Sequence, residues 1–96
     1  MTEPGLRLTP EAHGLFSRLP PETKRRIKRA LREIAAKPFA GKALQEELIG
    51  YRSYRTRRYR IIYRFNETDS CLEVIHFGHR SGVYERLKAI LQKQKS

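Results

Sequence analysis

The sequence predicts an α+β fold: a small single domain with an N-terminal strand and a helical hairpin packed on an antiparallel sheet, closed by a short C-terminal helix. Three observations carry this. Apolar and polar residues alternate with period 2 along Tyr59 to Phe65, between further strand-like runs at about residues 49–56 and 71–77, whereas residues 10–36 and 83–91 repeat their apolar positions at helical spacing. The helical stretches stand in blocks before and after the strands, which is the order of an α+β chain. A length of 96 residues leaves room for one modest core, so residues 1–96 are read as one domain.

Each element has a local cause. Gly5 to Thr9 reads as a short strand with Leu6 and Leu8 on one side. Thr9-Pro10-Glu11 then supplies an N-cap, a proline at the first helical position and an acid near the helix dipole. Ala12, Leu15, Phe16 and Leu19 form the stripe of this first helix, which Pro20-Pro21 ends. Pro21 and Glu22 open a second helix in which Ile27, Leu31, Ile34 and Ala35 recur at helical spacing, stopping before Pro38. Residues 38–47 read as a loop with a helical turn near Ala43 to Glu47. Strands follow at Ile49–Thr56, Tyr59–Phe65 and Cys71–Phe77, with Asn66 to Ser70 as a polar turn. The turn at Thr56-Arg57-Arg58 lacks the Gly or Asn that would supply a positive φ, which leaves its type open. A last helix starts near Val83 and carries Leu87, Ile90 and Leu91.

Tyr51 to Phe65, YRSYRTRRYRIIYRF, holds six arginines and no acid. The alternation places Tyr59, Ile61, Tyr63 and Phe65 on one side of a strand and Arg60, Ile62 and Arg64 on the other, so one face is read as core and the other as a display of guanidinium groups. A guanidinium stays charged and presents a planar fork of donors matched to phosphate. Arg52, Arg55, Arg57, Arg58 and Arg64 are therefore candidates for contact with a polyanion, a nucleic acid such as RNA or an acidic protein. The whole chain agrees: 21 Lys plus Arg against 10 Asp plus Glu give a formal net charge of +11, which favours a polyanion and predicts salt-dependent binding. The start MTEPGLRL shows no basic n-region or apolar h-region, and no segment has the apolar length of a membrane span, so a cytoplasmic protein without a membrane partner is expected. The single cysteine, Cys71, cannot close an intramolecular disulfide.

The chemistry is expected at His76 to Tyr84, HFGHRSGVY, where His79, Arg80 and Tyr84 surround two glycines at a strand-to-helix junction. Histidine exchanges protons near neutral pH, arginine neutralises a phosphate, and tyrosine stacks on a base or moves a proton. The sequence has no CxxC pair, HExxH, G-x-x-x-x-G-K-[ST] or G-x-S-x-G, so no cofactor and no metal site is assigned. RNA carries its own nucleophile, the 2′-OH. Its metal-free cleavage needs a proton acceptor, cations on the developing phosphorane and a proton donor for the leaving oxygen, roles for which Arg60, His79, Arg80 and Tyr84 are the candidates.

Pro38 to Leu48 with its central Gly41, then G-Y-R-S-Y-R, Y-R-I-I-Y, G-H-R and V-Y, resemble the RelE toxins of bacterial and archaeal toxin–antitoxin modules. The resemblance implies an mRNA interferase that cleaves messenger RNA in the ribosomal A site and is neutralised by a cognate antitoxin, with the ribosome as second partner. By position it assigns the catalytic arginine of the middle strand to Arg60, a second arginine to Arg80 and the C-terminal tyrosine to Tyr84, and some relatives place a histidine near His79. RelE has a lysine pair on the preceding strand; here those positions fall near Tyr51 and Ser53, which moves the general base to His79, with Glu46 or Glu47 as more distant carboxylates.

Other readings exist for these residues. Arg60 is also placed to pair with Glu73 across the sheet, Tyr84 to begin the core face of the last helix, and His76 to pack within its strand. Two other functions share the fold or the charge: a ParE-like toxin that inhibits DNA gyrase through protein contacts, and a non-catalytic nucleic-acid-binding module. Cleavage of RNA separates the first reading from both.

Overall fold

The computed structural model describes residues 5–79 and 82–95. The elements run β1 (Leu6–Leu8), α1 (Pro10–Ser17), α2 (Pro21–Ala36), β2 (Lys42–Ala43), a single 3₁₀ turn (Glu46–Leu48), β3 (Arg52–Thr56), β4 (Tyr59–Asn66), β5 (Cys71–His79) and α3 (Val83–Lys95). Five strands form one sheet in the order β1-β5-β4-β3-β2. β3, β4 and β5 are the antiparallel meander that the alternation predicts. β2 adds antiparallel at one edge, and β1 joins β5 in parallel at the other, which makes the sheet mixed.

The helical hairpin starts as its sequence dictates. Thr9 Oγ1 accepts from the Ala12 N–H at 3.2 Å and Pro10 occupies the first turn of α1. α1 closes at Ser17, short of Pro20, because Arg18 and Leu19 turn their N–H groups to the carbonyls of Leu15 and Phe16. Ile27, Ala30, Leu31, Ile34 and Ala35 of α2 are buried on one stripe.

Two expected features are corrected. Residues 38–47 contain a short strand, β2, as well as the turn. β3 starts at Arg52 and not at Ile49: Gly50 takes φ +94°, Tyr51 N–H bonds back to Leu48, and Ile49 is left 73% exposed. At the β3–β4 hairpin, where no Gly or Asn is present, Thr56 pairs with Tyr59 and Arg57 itself adopts φ +29°.

The sheet is buried on both faces, not on one. Leu6, Leu8, Tyr59, Ile61, Tyr63, Leu72, Val74 and Phe77 face α1 and α2. Ile62 and Ile75 face the other way, under Val83 and Leu87 of α3, with Leu48, Leu44, Tyr51 and Tyr84 around them. A β-bulge creates this second core: the register shifts between Ile62 and Tyr63, which pair with His76 and Val74, so Ile75 is an extra residue in β5. Phe65, expected in the first core, is 49% exposed near the far end of β4.

Candidate active site on the basic face of the sheet

Cross-strand partners share a face, so the register of β3 and β4 sorts the arginines. Ser53 lies opposite Ile62 and Arg55 opposite Arg60, which puts Ser53, Arg55 and Arg60 on the α3 side. Arg52 lies opposite Tyr63 on the other side, where its Nη1 donates to the Gly41 carbonyl at 2.7 Å and its guanidinium covers the Phe39 ring. Arg64 does share the α3 side, but it is spent on Glu73 at 2.9 Å, a carboxylate that Arg7 also holds at 3.0 Å. Burial raises the pKa of the Glu73 carboxyl, and the two guanidiniums more than reverse this, leaving it below the usual carboxylate range. Glu73 thus pairs with Arg64 and Arg7, not with Arg60. Arg57 and Arg58 stand exposed at the hairpin turn, with Arg55 beside them.

Arg60, Ser53 and Tyr84 form one cluster. Arg60 Nη1 donates to Ser53 Oγ at 3.3 Å, the Tyr84 hydroxyl also donates to Ser53 Oγ at 3.3 Å, and the Arg60 guanidinium lies 5.6 Å from the centroid of the Tyr84 ring. Three elements meet here: β3 brings the serine, β4 the arginine, and the first turn of α3 the tyrosine. Arg60 Nε is buried without a partner, and among the described residues no carboxylate is within ion-pair distance of Arg60. A partly buried cation without a counter-charge is arranged to receive an anion.

His79 is not part of this cluster. It pairs with Tyr59 in the β4–β5 register and stacks on that ring at 4.8 Å, on the α1–α2 side of the sheet. The reason is that β5 continues to His79 and does not end at Phe77, so alternation sends His79 away from Arg60, whose own partner is Gly78. Arg80 lies outside the described residues. His76, read as a packing residue, is 2% exposed with both ring nitrogens unpartnered.

The sequence reading missed two contributors. Ser53 is the hydroxyl shared by Arg60 and Tyr84, and Lys42, its partner across β2, shares that face. Ser53 is recoverable from the hairpin register once Arg57-Arg58 is taken as a two-residue turn. Lys42 is hidden because a two-residue strand has no readable alternation. Glu46 is exposed, takes the left-handed φ of +55°, and lines a pocket together with Tyr84.

The family model described as the ParE toxin of type II toxin–antitoxin system, parDE, matches residues 6–84. Toxin RelG of Mycobacterium tuberculosis is 29% identical over 83 residues, which cover 84% of this chain and 95% of that protein. Among solved structures, a chain of the toxin–antitoxin complex RelBE2 from Mycobacterium tuberculosis aligns with a TM-score of 0.73 at 26% identity, over 82% of this chain and 100% of that one. The YoeB/ParE toxin from Agrobacterium tumefaciens aligns with a TM-score of 0.69 at 26% identity, over 79% of this chain and 98% of its own. A small α+β fold of three helices and a five-stranded sheet with a basic cluster is therefore that of a toxin. The chain belongs to the RelE/ParE superfamily of toxins of type II toxin–antitoxin systems.

Proposed function

We propose that this toxin is an endoribonuclease that cleaves messenger RNA on the ribosome by metal-free attack of the 2′-OH on the scissile phosphate. One observation carries the reading: the Arg60 guanidinium, without a carboxylate partner among the described residues, gathered with the hydroxyls of Ser53 and Tyr84 on the basic face. Arg60 takes the non-bridging oxygens and stabilises the phosphorane, in which charge builds up on those atoms. Tyr84, whose hydroxyl is fixed on Ser53, stacks on a base or donates a proton to the 5′-oxygen as it leaves. The proton acceptor for the 2′-OH is Glu46, a carboxylate in the Tyr84 pocket whose left-handed backbone marks an over-determined position. Arg80, immediately before the turn into α3 in sequence, is the second phosphate-binding cation that the family resemblance assigns. Arg55, Arg57 and Arg58 lead the strand and the ribosomal RNA to the site.

Single-turnover cleavage on programmed ribosomes tests this. The expected products carry a 2′,3′-cyclic phosphate or 3′-phosphate and a 5′-hydroxyl, and the rate persists in EDTA once ribosome integrity is controlled for. Products with a 5′-phosphate overturn the scheme. The match to the ParE description supports a second reading, inhibition of DNA gyrase by protein contact. Loss of supercoiling activity without RNA cleavage, insensitive to Arg60→Ala, would establish it.

The cognate antitoxin is proposed to be an acidic, partly helical chain that covers the basic face, since a net charge of +11 selects such a partner. Co-expression with the adjacent open reading frame is expected to rescue growth and yield a complex that survives purification.

A further inference from the structure

The pocket beside Tyr84 contains more chemistry than cleavage requires. It lies between β2, the 3₁₀ turn and α3, has a volume of about 360 Å³, and is lined by Lys42, Leu44, Glu46, Leu48, Tyr84 and Lys88 among others. Its wall divides by type. Leu44 and Leu48 extend the second core to the surface, while Lys42 from β2 and Lys88 from α3 bring two ammonium groups from separate elements. Both lysines are exposed, and among the described residues neither is within ion-pair distance of a carboxylate. With Glu46 as the one acid among the lining residues, the pocket is cationic by one formal charge, from two lysines against one glutamate.

Lys42 is also held in place. Its strand is only two residues long, but Gly41 N–H bonds to the Tyr63 hydroxyl at 2.9 Å, Arg52 holds the Gly41 carbonyl at 2.7 Å, and Leu44 N–H bonds to Tyr51 at 3.0 Å. These bonds fix the register that sets Lys42 against Ser53, on the face of Arg60. Three cations, Lys42, Arg60 and Lys88, therefore border the same tyrosine: Arg60 over its ring, the lysines across its pocket. An ammonium is a compact donor that binds phosphate as a point charge, and an apolar floor beside an aromatic ring suits a base.

We infer that this pocket is a subsite for single-stranded RNA, holding the nucleotide next to the scissile phosphate, with its phosphate on Lys42 and Lys88 and its base against Leu44, Leu48 and the Tyr84 ring. The inference rests on the RNA-cleaving reading of the Arg60 site. Its contribution is to binding and placement of the strand, which acts on the half-saturating concentration and not on the chemical step.

The test is single-turnover cleavage on programmed ribosomes as a function of toxin concentration and salt, comparing wild type with Lys42→Ala/Lys88→Ala. The half-saturating concentration is expected to rise severalfold with the plateau rate unchanged. The slope of log affinity against log salt should fall by about 0.7, the value for one single-strand phosphate, which the two lysines share. Lys42→Arg/Lys88→Arg should restore most of the loss, since the charge returns. An unchanged half-saturating concentration and salt slope overturns the subsite. So does a fall in plateau rate alone, which puts the lysines in the reaction, or a weakened antitoxin complex with normal cleavage, which makes the pocket a protein contact. No cleavage by wild type overturns the reading of the Arg60 site itself.

Discussion

The Tyr63 hydroxyl accepts a hydrogen bond from the Gly41 N–H at 2.9 Å, from inside a core where Tyr63 is 0% exposed. It donates in turn to the Pro38 carbonyl at 2.8 Å. Gly41 has to be glycine for this approach, since a Cβ there would stand 2.6 Å from the hydroxyl oxygen. One buried phenol thereby ties the segment after α2 to the middle of the sheet and positions β2. Burial raises its pKa, so it remains a donor throughout the neutral range.

Tyr63→Phe is expected to destabilise the protein by about 1 to 3 kcal/mol, because the Pro38 carbonyl and the Gly41 N–H lose their buried partner while the ring keeps its packing. Urea unfolding measures this. Gly41→Ala should cost at least as much, and should also weaken cleavage by displacing Lys42.

Arg60→Ala is expected to reduce single-turnover cleavage by roughly 10² to 10³ with the fold intact, as loss of one preorganised charge contact at a transition state does. Ser53→Ala should reduce it less. It frees both Arg60 and Tyr84 from their common acceptor but leaves the charge and the ring in place. Circular dichroism of both variants separates folding from chemistry, and a wild-type rate from a folded Arg60→Ala protein removes Arg60 from the site.

Glu46→Gln is expected to lower the cleavage rate by roughly 10² to 10⁴, the usual range for a general base. His79→Ala should leave the rate unchanged, because its ring stacks on Tyr59 across the sheet from Arg60. A loss of that size in His79→Ala with a normal rate in Glu46→Gln would reverse the assignment.

How far the sequence could lead is visible at these same residues. Helix starts at Pro10 and Pro21, the strand at Tyr59 and the helix at Val83 follow from capping, proline and periodicity, all local effects. The face of a side chain near a strand end is not local. The sequence groups His79 with Arg60 because its strand-to-helix junction follows the arginine-rich hairpin, yet one further pair of strand residues in β5 turns it to the opposite side. The bulge at Ile75 likewise lies in the pairing of β5 with β4, and no period-2 pattern announces it. The sequence offers Arg52 and Arg64 to the polyanion because their partners, the Gly41 carbonyl and Glu73, are reached only through tertiary contact.

His76 is 2% exposed, with neither ring nitrogen hydrogen-bonded. A Cβ on Gly78 would stand 3.1 Å from His76 Nε2 and 2.8 Å from Val83 Cγ2, so the missing side chain of Gly78 is what lets the imidazole and the first turn of α3 close over β5. Burial lowers the pKa of His76 from its ordinary 6.5; Glu11 opposes this weakly, and Arg86 adds to it. His76 is then neutral when folded and takes a proton more readily when unfolded. Its contribution to stability is complete above the unfolded pKa of about 6.5 and is lost as pH falls below it towards the depressed folded value. Urea unfolding at about pH 7.5 and about pH 5.5, on either side of an unperturbed histidine, should show a clear loss at the lower pH in wild type and a smaller one in His76→Leu. Since Val83 in the first turn of α3 packs over Gly78 beside the imidazole, protection of the Arg86 N–H, which bonds the Gly82 carbonyl at 3.1 Å, should also fall at the lower pH in wild type alone once exchange is corrected for its intrinsic pH dependence. Equal pH dependence in both proteins would show that another group governs the acid limb.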